Sequence, residues 1–119
     1  DMSVVANYNA FAKEISSLEA LYESTTERKI SKFFRPPEGK FSTKTLEYAR
    51  AMGYKTIFWS FAYADWDPDT QPEPASSLQK MIDRLHPGAI YLLHAVSETN
   101  ASVLGDFIDA VREAGYTFK

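Results

Sequence analysis

The chain has 119 residues, of which 45% are hydrophobic and 24% charged, the composition of a globular protein with one ordinary core. Its formal net charge of −3 gives no basic surface for phosphates, so nucleic acid is not an expected partner. No run of about 18 apolar residues is present, so no membrane span is expected. The opening Asp1-Met2-Ser3 does not have the pattern of a signal peptide.

The first half of the chain predicts a helix, a short strand and a second helix. Apolar residues at spacings of three and four predict a first helix that ends near residues 24 to 26; they are Tyr8, Phe11, Ile15, Leu18 and Tyr22. A short strand is predicted at about residues 32 to 35. Ser42 is placed to cap a second helix, whose apolar face carries Leu46, Ala49 and Met52 and which Gly53 is placed to end.

The second half predicts strands that alternate with helices. Residues 55–61 and 89–94 are almost continuously apolar, as strands buried on both faces are. Between them lies a predicted helix with Leu78, Met81, Ile82 and Leu85, closed by residues 86–88. Asn100 is predicted to cap a last helix that stops at Gly115, before a final strand at residues 116–118.

Alternating helices and buried strands predict an α/β fold with a parallel sheet. Sites in such folds lie at the carboxyl ends of the strands, and these ends carry Arg35, the Asp65-Trp66 pair and His94. Each residue also fits an ordinary structural role, because histidines and aromatic residues are common in cores and Pro36-Pro37 in turns. The residues alone therefore leave a shared site and separate structural roles open.

Two other patterns favour structural interpretations. Asp65, Asp67 and Asp69 alternate as in a calcium loop, but Pro68 interrupts them, and the glycine and closing glutamate of such a loop are not in place. Residues 100–102 fit an N-glycosylation sequence, but Asn100 at a helix start is better interpreted as a cap.

Three stretches of the chain carry a specific resemblance. They are Phe34-Arg35-Pro36-Pro37-Glu38-Gly39, then Trp59-Ser60 leading to Asp65-Trp66, then Ile90-Tyr91-Leu92-Leu93-His94. In order and spacing they resemble the third, fourth and fifth motifs of the polysaccharide deacetylases, carbohydrate esterase family 4. Residues 33–42, 62–66 and 86–97 are most similar to the delta-lactam-biosynthetic de-N-acetylases, which act on N-acetylmuramic acid in the peptidoglycan of the spore cortex.

The resemblance implies an amide hydrolase that removes acetyl groups from an N-acetylated sugar with a divalent metal, zinc being the expected ion. His94 would be the general acid, Asp65 would orient its ring, and Arg35 would hold the family's aspartate base in position. Trp66 and Leu92 would form the wall around the acetyl methyl group.

The resemblance also gives Glu38 a role. Its backbone N–H would donate to the oxyanion as it forms. The family usually has an aromatic residue at this position, so any side-chain contact of Glu38 with the sugar would differ from that of its relatives.

The resemblance extends only to part of the family domain. The first two family motifs, Thr-Phe-Asp-Asp-Gly-Pro and His-Ser-x-x-His, supply the base and the metal ligands, and neither occurs in these 119 residues. Asp1-Met2 resembles the residues that follow the second motif. Residues 1–119 are therefore expected to be a partial domain, the C-terminal half of a (β/α) barrel with motifs three to five, which holds no metal by itself and is inactive alone.

Two alternatives to catalysis remain open at this point. The chain could be a non-catalytic carbohydrate-binding domain, or a complementing half-domain that docks the missing N-terminal half or a second copy of itself. Peptidoglycan or another N-acetylated glycan is the expected partner. From the resemblance alone, the expected location is extracytoplasmic, at the cell wall or the spore cortex.

Overall fold

The computed structural model describes residues 2–5 and 7–119, and the chain divides into two compact units, Asp1–Phe58 and Trp59–Lys119. Asp1, compared above with the residues that follow the second family motif, lies outside the described residues. No helix in the described ranges is long and apolar enough to cross a membrane.

Two helices of the first unit begin and end close to where the sequence predicts. Helix α1 spans Tyr8–Thr26, and helix α2 spans Thr43–Ala51. Ser42 caps α2, and its hydroxyl oxygen accepts from the backbone N–H of Thr45 at 3.3 Å. The chain leaves α2 through Gly53 at φ 80°, a left-handed conformation that glycine adopts without strain. The predicted cap and stop of this helix are confirmed.

The core of the first unit is smaller than the sequence predicts. Its buried residues are Phe11, Ile15, Ala49 and Tyr54. Leu18 and Tyr22 were expected on the same buried face, but they are 56% and 37% exposed. The reason is length: α2 has 9 residues against 19 in α1, and its Tyr48 packs on Tyr8 and Phe11 in the first half of α1.

A short parallel ladder completes the first unit. Strand β1, Phe33–Phe34, pairs with strand β2, Lys55–Thr56. The backbone N–H of Lys55 donates to the carbonyl of Lys32 at 2.9 Å, and the backbone N–H of Ile57 donates to the carbonyl of Phe34 at 2.8 Å. Phe34 packs edge-on against Phe11, with ring centroids 5.6 Å apart, and so joins the ladder to the core.

The second unit is built on two packed helices, α3, Pro74–Ile82, and α4, Glu98–Glu113. Its buried core comprises Phe61, Met81, Val103, Phe107 and Val111. Phe61 forms an isolated parallel bridge with Tyr91. The Tyr91 hydroxyl donates to the carbonyl of Met81 at 2.8 Å, which attaches the bridge to α3.

The predicted strands at residues 55–61, 89–94 and 116–118 are wrong in their extent. Of residues 55–61, Lys55–Thr56 form β2 and Phe61 forms the isolated bridge with Tyr91, which lies in the second predicted strand. Residues 116–118 form no strand. The Ser60 hydroxyl accepts from the backbone N–H of Ile90 at 3.1 Å and so takes a donor that a regular ladder would use. Phe58 and Ile90 are 37% and 45% exposed, so these segments are not buried on both faces.

The predicted cap of α4 is also wrong. Ser97, not Asn100, is the N-cap, and its hydroxyl oxygen accepts from the backbone N–H of Asn100 at 3.1 Å. Asn100 therefore lies inside the first turn, where its side chain is 7% exposed and has other partners. Serine and asparagine are both favoured at N-caps, so residue type alone does not distinguish Ser97 from Asn100, three positions later.

The packing of α4 leads to a stability prediction. Phe107 is 4% exposed and contacts Tyr91 with ring centroids 5.0 Å apart, whereas Leu104 on the same helix is 43% exposed. We expect Phe107→Ala to lower the free energy of unfolding by about 3–5 kcal/mol because it leaves a cavity in the core. Leu104→Ala, the matched control, should cost less than about 1 kcal/mol. Urea unfolding followed by circular dichroism measures both, and equal losses would contradict this description of the core.

Candidate functional site

The site is centred on a fully buried carboxylate, that of Asp65. Oδ1 of Asp65 lies 2.7 Å from Nδ1 of His94, and Oδ2 accepts from the backbone N–H of His94 at 2.8 Å. Oδ2 also accepts from Nδ2 of Asn100 at 2.5 Å. Both oxygens thus have partners, as burial of a charged group requires.

These contacts determine the charge of Asp65. Burial by itself raises the pKa of the carboxyl group, because it penalises the charged form. Hydrogen bonds from the backbone N–H of His94, the amide of Asn100 and the ring of His94 outweigh burial, and the pKa of Asp65 lies below its ordinary value. Asp65 is therefore ionised at neutral pH and acts only as an acceptor.

An ionised Asp65 also determines which nitrogen of His94 carries a proton. Because the carboxylate accepts and cannot donate, Nδ1 of His94 must bear the hydrogen in the 2.7 Å contact. The side chain is 36% exposed, and Nε2 has no hydrogen bond to any described residue. The ring is thus held on its Nδ1 side, and Nε2 is the atom free to exchange a proton with a ligand.

A second layer of polar residues supports the pair. Nδ2 of Asn100 also donates to the carbonyl of His94 at 3.2 Å, and the hydroxyl of Tyr63 donates to Oδ1 of Asn100. Burial, with a further contribution from the charge of Asp65, raises the pKa of Tyr63, so its hydroxyl stays protonated and able to donate. Neither Asn100 nor Tyr63 was predicted as a site residue.

Hydrogen bonds link the loop that follows Asp65 to the start of α4. Oε1 of Gln71 accepts from the hydroxyl of Ser97 at 2.7 Å, and Nε2 of Gln71 donates to the carbonyl of Asp67 at 2.6 Å. The hydroxyl of Thr99 donates to the carbonyl of Pro72 at 2.6 Å. The segments that carry Asp65 and Asn100 are therefore linked by several bonds independent of the carboxylate.

Trp66 and Leu92 are the other predicted site residues of the second unit. The ring of Trp66 is 6.1 Å from that of His94, edge to face, and Trp66 is 59% exposed. Leu92 is half-buried, and its backbone N–H donates to Phe61 at 2.9 Å. An open groove of about 260 Å³ lies beside His94 and Leu93, and neither Trp66 nor Leu92 lines it. Their role as a methyl-binding wall stays a prediction.

Arg35 and Glu38 belong to the first unit. Arg35 is exposed, and its side chain makes no ion pair or hydrogen bond with the described residues. Glu38 has a left-handed backbone, φ 55°, which is rare for a residue other than glycine. Its carboxylate pairs with Nζ of Lys40 at 2.5 Å, and the hydrogen bond from Lys40 lowers the pKa of Glu38.

The described residues do not fit the family's metal. They contain no group of three or more His, Cys, Asp or Glu side chains that could hold a metal ion. Asp65, Asp67 and Asp69 do not gather as a calcium loop would require, because the carboxylate of Asp65 faces His94 and Asn100.

The chain is similar to known deacetylases in sequence. It is 41% identical over 106 residues to the peptidoglycan-N-acetylmuramic acid deacetylase PdaA of Bacillus subtilis, a match that covers 89% of this chain and 40% of PdaA. It is 31% identical over 81 residues to a chitooligosaccharide deacetylase of Azorhizobium caulinodans, which covers 68% of this chain and 37% of that relative. No family model matches the chain.

Solved structures give the same result for the fold. The structure of B. subtilis PdaA, a family 4 carbohydrate esterase, matches with a TM-score of 0.88 and 38% identity over 95% of this chain and 48% of PdaA. A family 4 pseudoenzyme from Bacillus anthracis matches with a TM-score of 0.81 and 27% identity, over 95% of this chain and 38% of that one.

The chain belongs to the polysaccharide deacetylases, carbohydrate esterase family 4. It spans less than half the length of the relatives it matches, and its fold is that of part of their α/β barrel. The predicted family and fold class are confirmed.

The ionised state of Asp65 predicts how the free energy of unfolding depends on pH. Its pKa is lower when folded than when unfolded, where it is about 3.9. The contribution of ionised Asp65 to stability is therefore fully present above about pH 4–5. It is lost as the pH falls through the lower pKa that Asp65 has in the folded state. We expect Asp65→Asn to lower the free energy of unfolding by about 1–3 kcal/mol at pH 7, and by less near pH 3.

Asp106→Asn is the matched control, because Asp106 is exposed on the same unit. It should change stability by less than about 0.5 kcal/mol at pH 7. Urea unfolding at several pH values measures both variants. If Asp65→Asn behaved like Asp106→Asn, the buried carboxylate would not have the role described.

Proposed function

We propose that this chain supplies the proton-donating part of the active site of a peptidoglycan de-N-acetylase, with N-acetylmuramic acid or a similar amino sugar as the acetylated residue. The observation that carries the proposal is the 2.7 Å contact between Oδ1 of the buried Asp65 and Nδ1 of His94. The similarity to PdaA supports the substrate class.

The chemistry requires a proton at one atom. In hydrolysis of the acetamido group, a water oxygen bonds to the carbonyl carbon and the bond from that carbon to the sugar nitrogen breaks. The products are acetate and an amine, and the departing nitrogen must be protonated to leave. His94 in its charged form donates that proton from Nε2, while Asp65 holds Nδ1–H and balances the positive charge. The neutral ring that remains is again held with its hydrogen on Nδ1.

Arg35 and Glu38 keep in this proposal the roles that the family resemblance implies. Arg35, which is exposed and has no partner among the described residues, would position the aspartate base that the family carries in its first motif. Glu38 has a left-handed backbone, and its N–H would be the oxyanion donor. A backbone donor does not depend on the side chain, so Glu38 can replace the aromatic residue usual in the family.

The metal and the location belong to the complete domain. A divalent ion, with zinc as the expected species, is held there by residues outside this chain, and the chain alone is inactive. Because the chain is similar to a peptidoglycan deacetylase, this proposal places the complete protein outside the cytoplasmic membrane, where it removes acetyl groups from cell-wall or spore-cortex glycan.

The deacetylase role is tested in a fusion in which the preceding part of the B. subtilis PdaA domain is joined to this chain. With zinc, the fusion should release acetate from peptidoglycan, and the 119-residue chain alone should release none. His94→Ala in the fusion should lower kcat by roughly 100-fold or more, because it removes the acid. His86→Ala is the matched control, since His86 is exposed, and should leave kcat unchanged.

Two results would contradict the proposed function, the first of them by removing the role of His94. One is an active fusion whose kcat does not depend on His94. The other is a folded, zinc-loaded fusion with no activity on acetylated glycan, which would agree with the existence of a pseudoenzyme among the family's structures. Acetate release by the chain alone would show that no complementing half is needed.

Carbohydrate binding without catalysis is the second candidate, favoured by the exposed ring of Trp66 beside His94. In that case Trp66→Ala should weaken binding of N-acetylated oligosaccharides at least about tenfold, or 1.4 kcal/mol, and His94→Ala should leave it intact. Calorimetric titration measures both, with Phe118→Ala as the control for loss of an exposed aromatic residue. Equal loss with His94→Ala would exclude this candidate.

A further inference from the structure

The carboxylate of Asp65 needs a fixed orientation to serve His94. The terminal torsion of an aspartate is broad, so the side chain by itself does not decide which oxygen faces the ring. The structure separates the two oxygens: Oδ2 has two donors, the backbone N–H of His94 and the amide of Asn100, and Oδ1 has the ring alone.

We propose that Asn100 is a positioning residue of this site, which holds Asp65 in the orientation that points Oδ1 at Nδ1 of His94, and that Tyr63 fixes the orientation of Asn100. The inference rests on the proposed function for its catalytic meaning. The contacts that carry it are properties of the folded chain.

The amide of Asn100 has partners that fit only one orientation. Its Oδ1 accepts from the hydroxyl of Tyr63, and its Nδ2 donates to both Oδ2 of Asp65 and the carbonyl of His94. A reversed amide would place an oxygen against a carboxylate and a carbonyl, neither of which can donate. These two acceptors therefore specify the orientation of the amide, and the hydroxyl of Tyr63 then donates to the oxygen that this orientation turns toward it.

The place of Asn100 in the fold makes it a rigid support. Asn100 lies in the first turn of α4, and its backbone N–H donates to the capping Ser97. Its side chain is 7% exposed, and no buried side-chain nitrogen or oxygen in the described part of the chain lacks a partner. A donor held by a helix start directs a carboxylate more precisely than a donor on a mobile loop.

Removal of the Asn100 amide should change the pH at which Asp65 takes up a proton, which a loss of packing alone would not do. The titratable groups that face the carboxylate in the described residues are His94 and Tyr63. If Asn100 no longer donates, the ionised form of Asp65 loses one of three hydrogen bonds while its burial remains. The carboxylate should then take up a proton at a higher pH, and Oδ2 should keep the backbone N–H of His94 as its one donor.

The test is an acid titration of the 119-residue chain followed by NMR at the backbone amide of His94, which donates to Oδ2 of Asp65. Asn100→Leu keeps the approximate size and removes the donor. We expect the inflection of this amide signal to move up by about one pH unit, the size of effect that one hydrogen bond to a charged group has. Thr99→Val is the matched control, because it removes a buried hydrogen bond to Pro72 in the same helical turn without touching Asp65.

An inflection that moves in Asn100→Leu and not in Thr99→Val would support the proposal. An unchanged inflection in Asn100→Leu, or an equal shift in both variants, would overturn it. If Asn100→Leu does not fold, Tyr63→Phe decides: loss of the hydroxyl should raise the inflection by several tenths of a pH unit, and no change would overturn the role of Tyr63 and Asn100. Because the readout needs no substrate, failure of the deacetylase proposal would show only in the acetate assay.

Discussion

One buried charge organises the second unit. The carboxylate of Asp65 has no exposed surface and accepts three hydrogen bonds, two from His94 and one from Asn100. An isolated charge in such a place would be very costly, so the loop of Asp65, the segment of His94 and the start of α4 must come together for the fold to form. The same contacts that satisfy the charge also orient the histidine, which couples stability to function.

The apolar segments predicted positions along the chain better than they predicted strands. Asp65 and His94 both follow apolar segments, and the family resemblance implied that Asp65 orients His94. The structure places the two side chains 2.7 Å apart. The apolar runs themselves were predicted as continuous strands, whereas the structure has a two-residue ladder and an isolated bridge. An apolar run reports which side chains avoid water, but a ladder also needs backbone partners, and the hydroxyl of Ser60 takes one of them.

Asn100 shows where prediction from sequence stops. Residue type and position made it a good helix cap, and the cap is Ser97, three residues earlier. The signal that could have located its role was the pair of polar residues, Ser97 and Asn100, directly after His94, since only one of them can cap the helix. The other residue, Asn100, contacts Asp65 and Tyr63, which lie 35 and 37 positions earlier in the chain. Local sequence patterns do not contain such long-range contacts.

The decisive experiment on the Asp65–His94 pair is to determine, by long-range proton–nitrogen NMR at neutral pH, which ring nitrogen of His94 carries the hydrogen in the unsubstituted chain. We predict that neutral His94 carries its hydrogen on Nδ1, where Oδ1 of Asp65 accepts it. A hydrogen on Nε2 of His94, or a mixture of tautomers like that of a free imidazole, would contradict the claim that Asp65 orients His94.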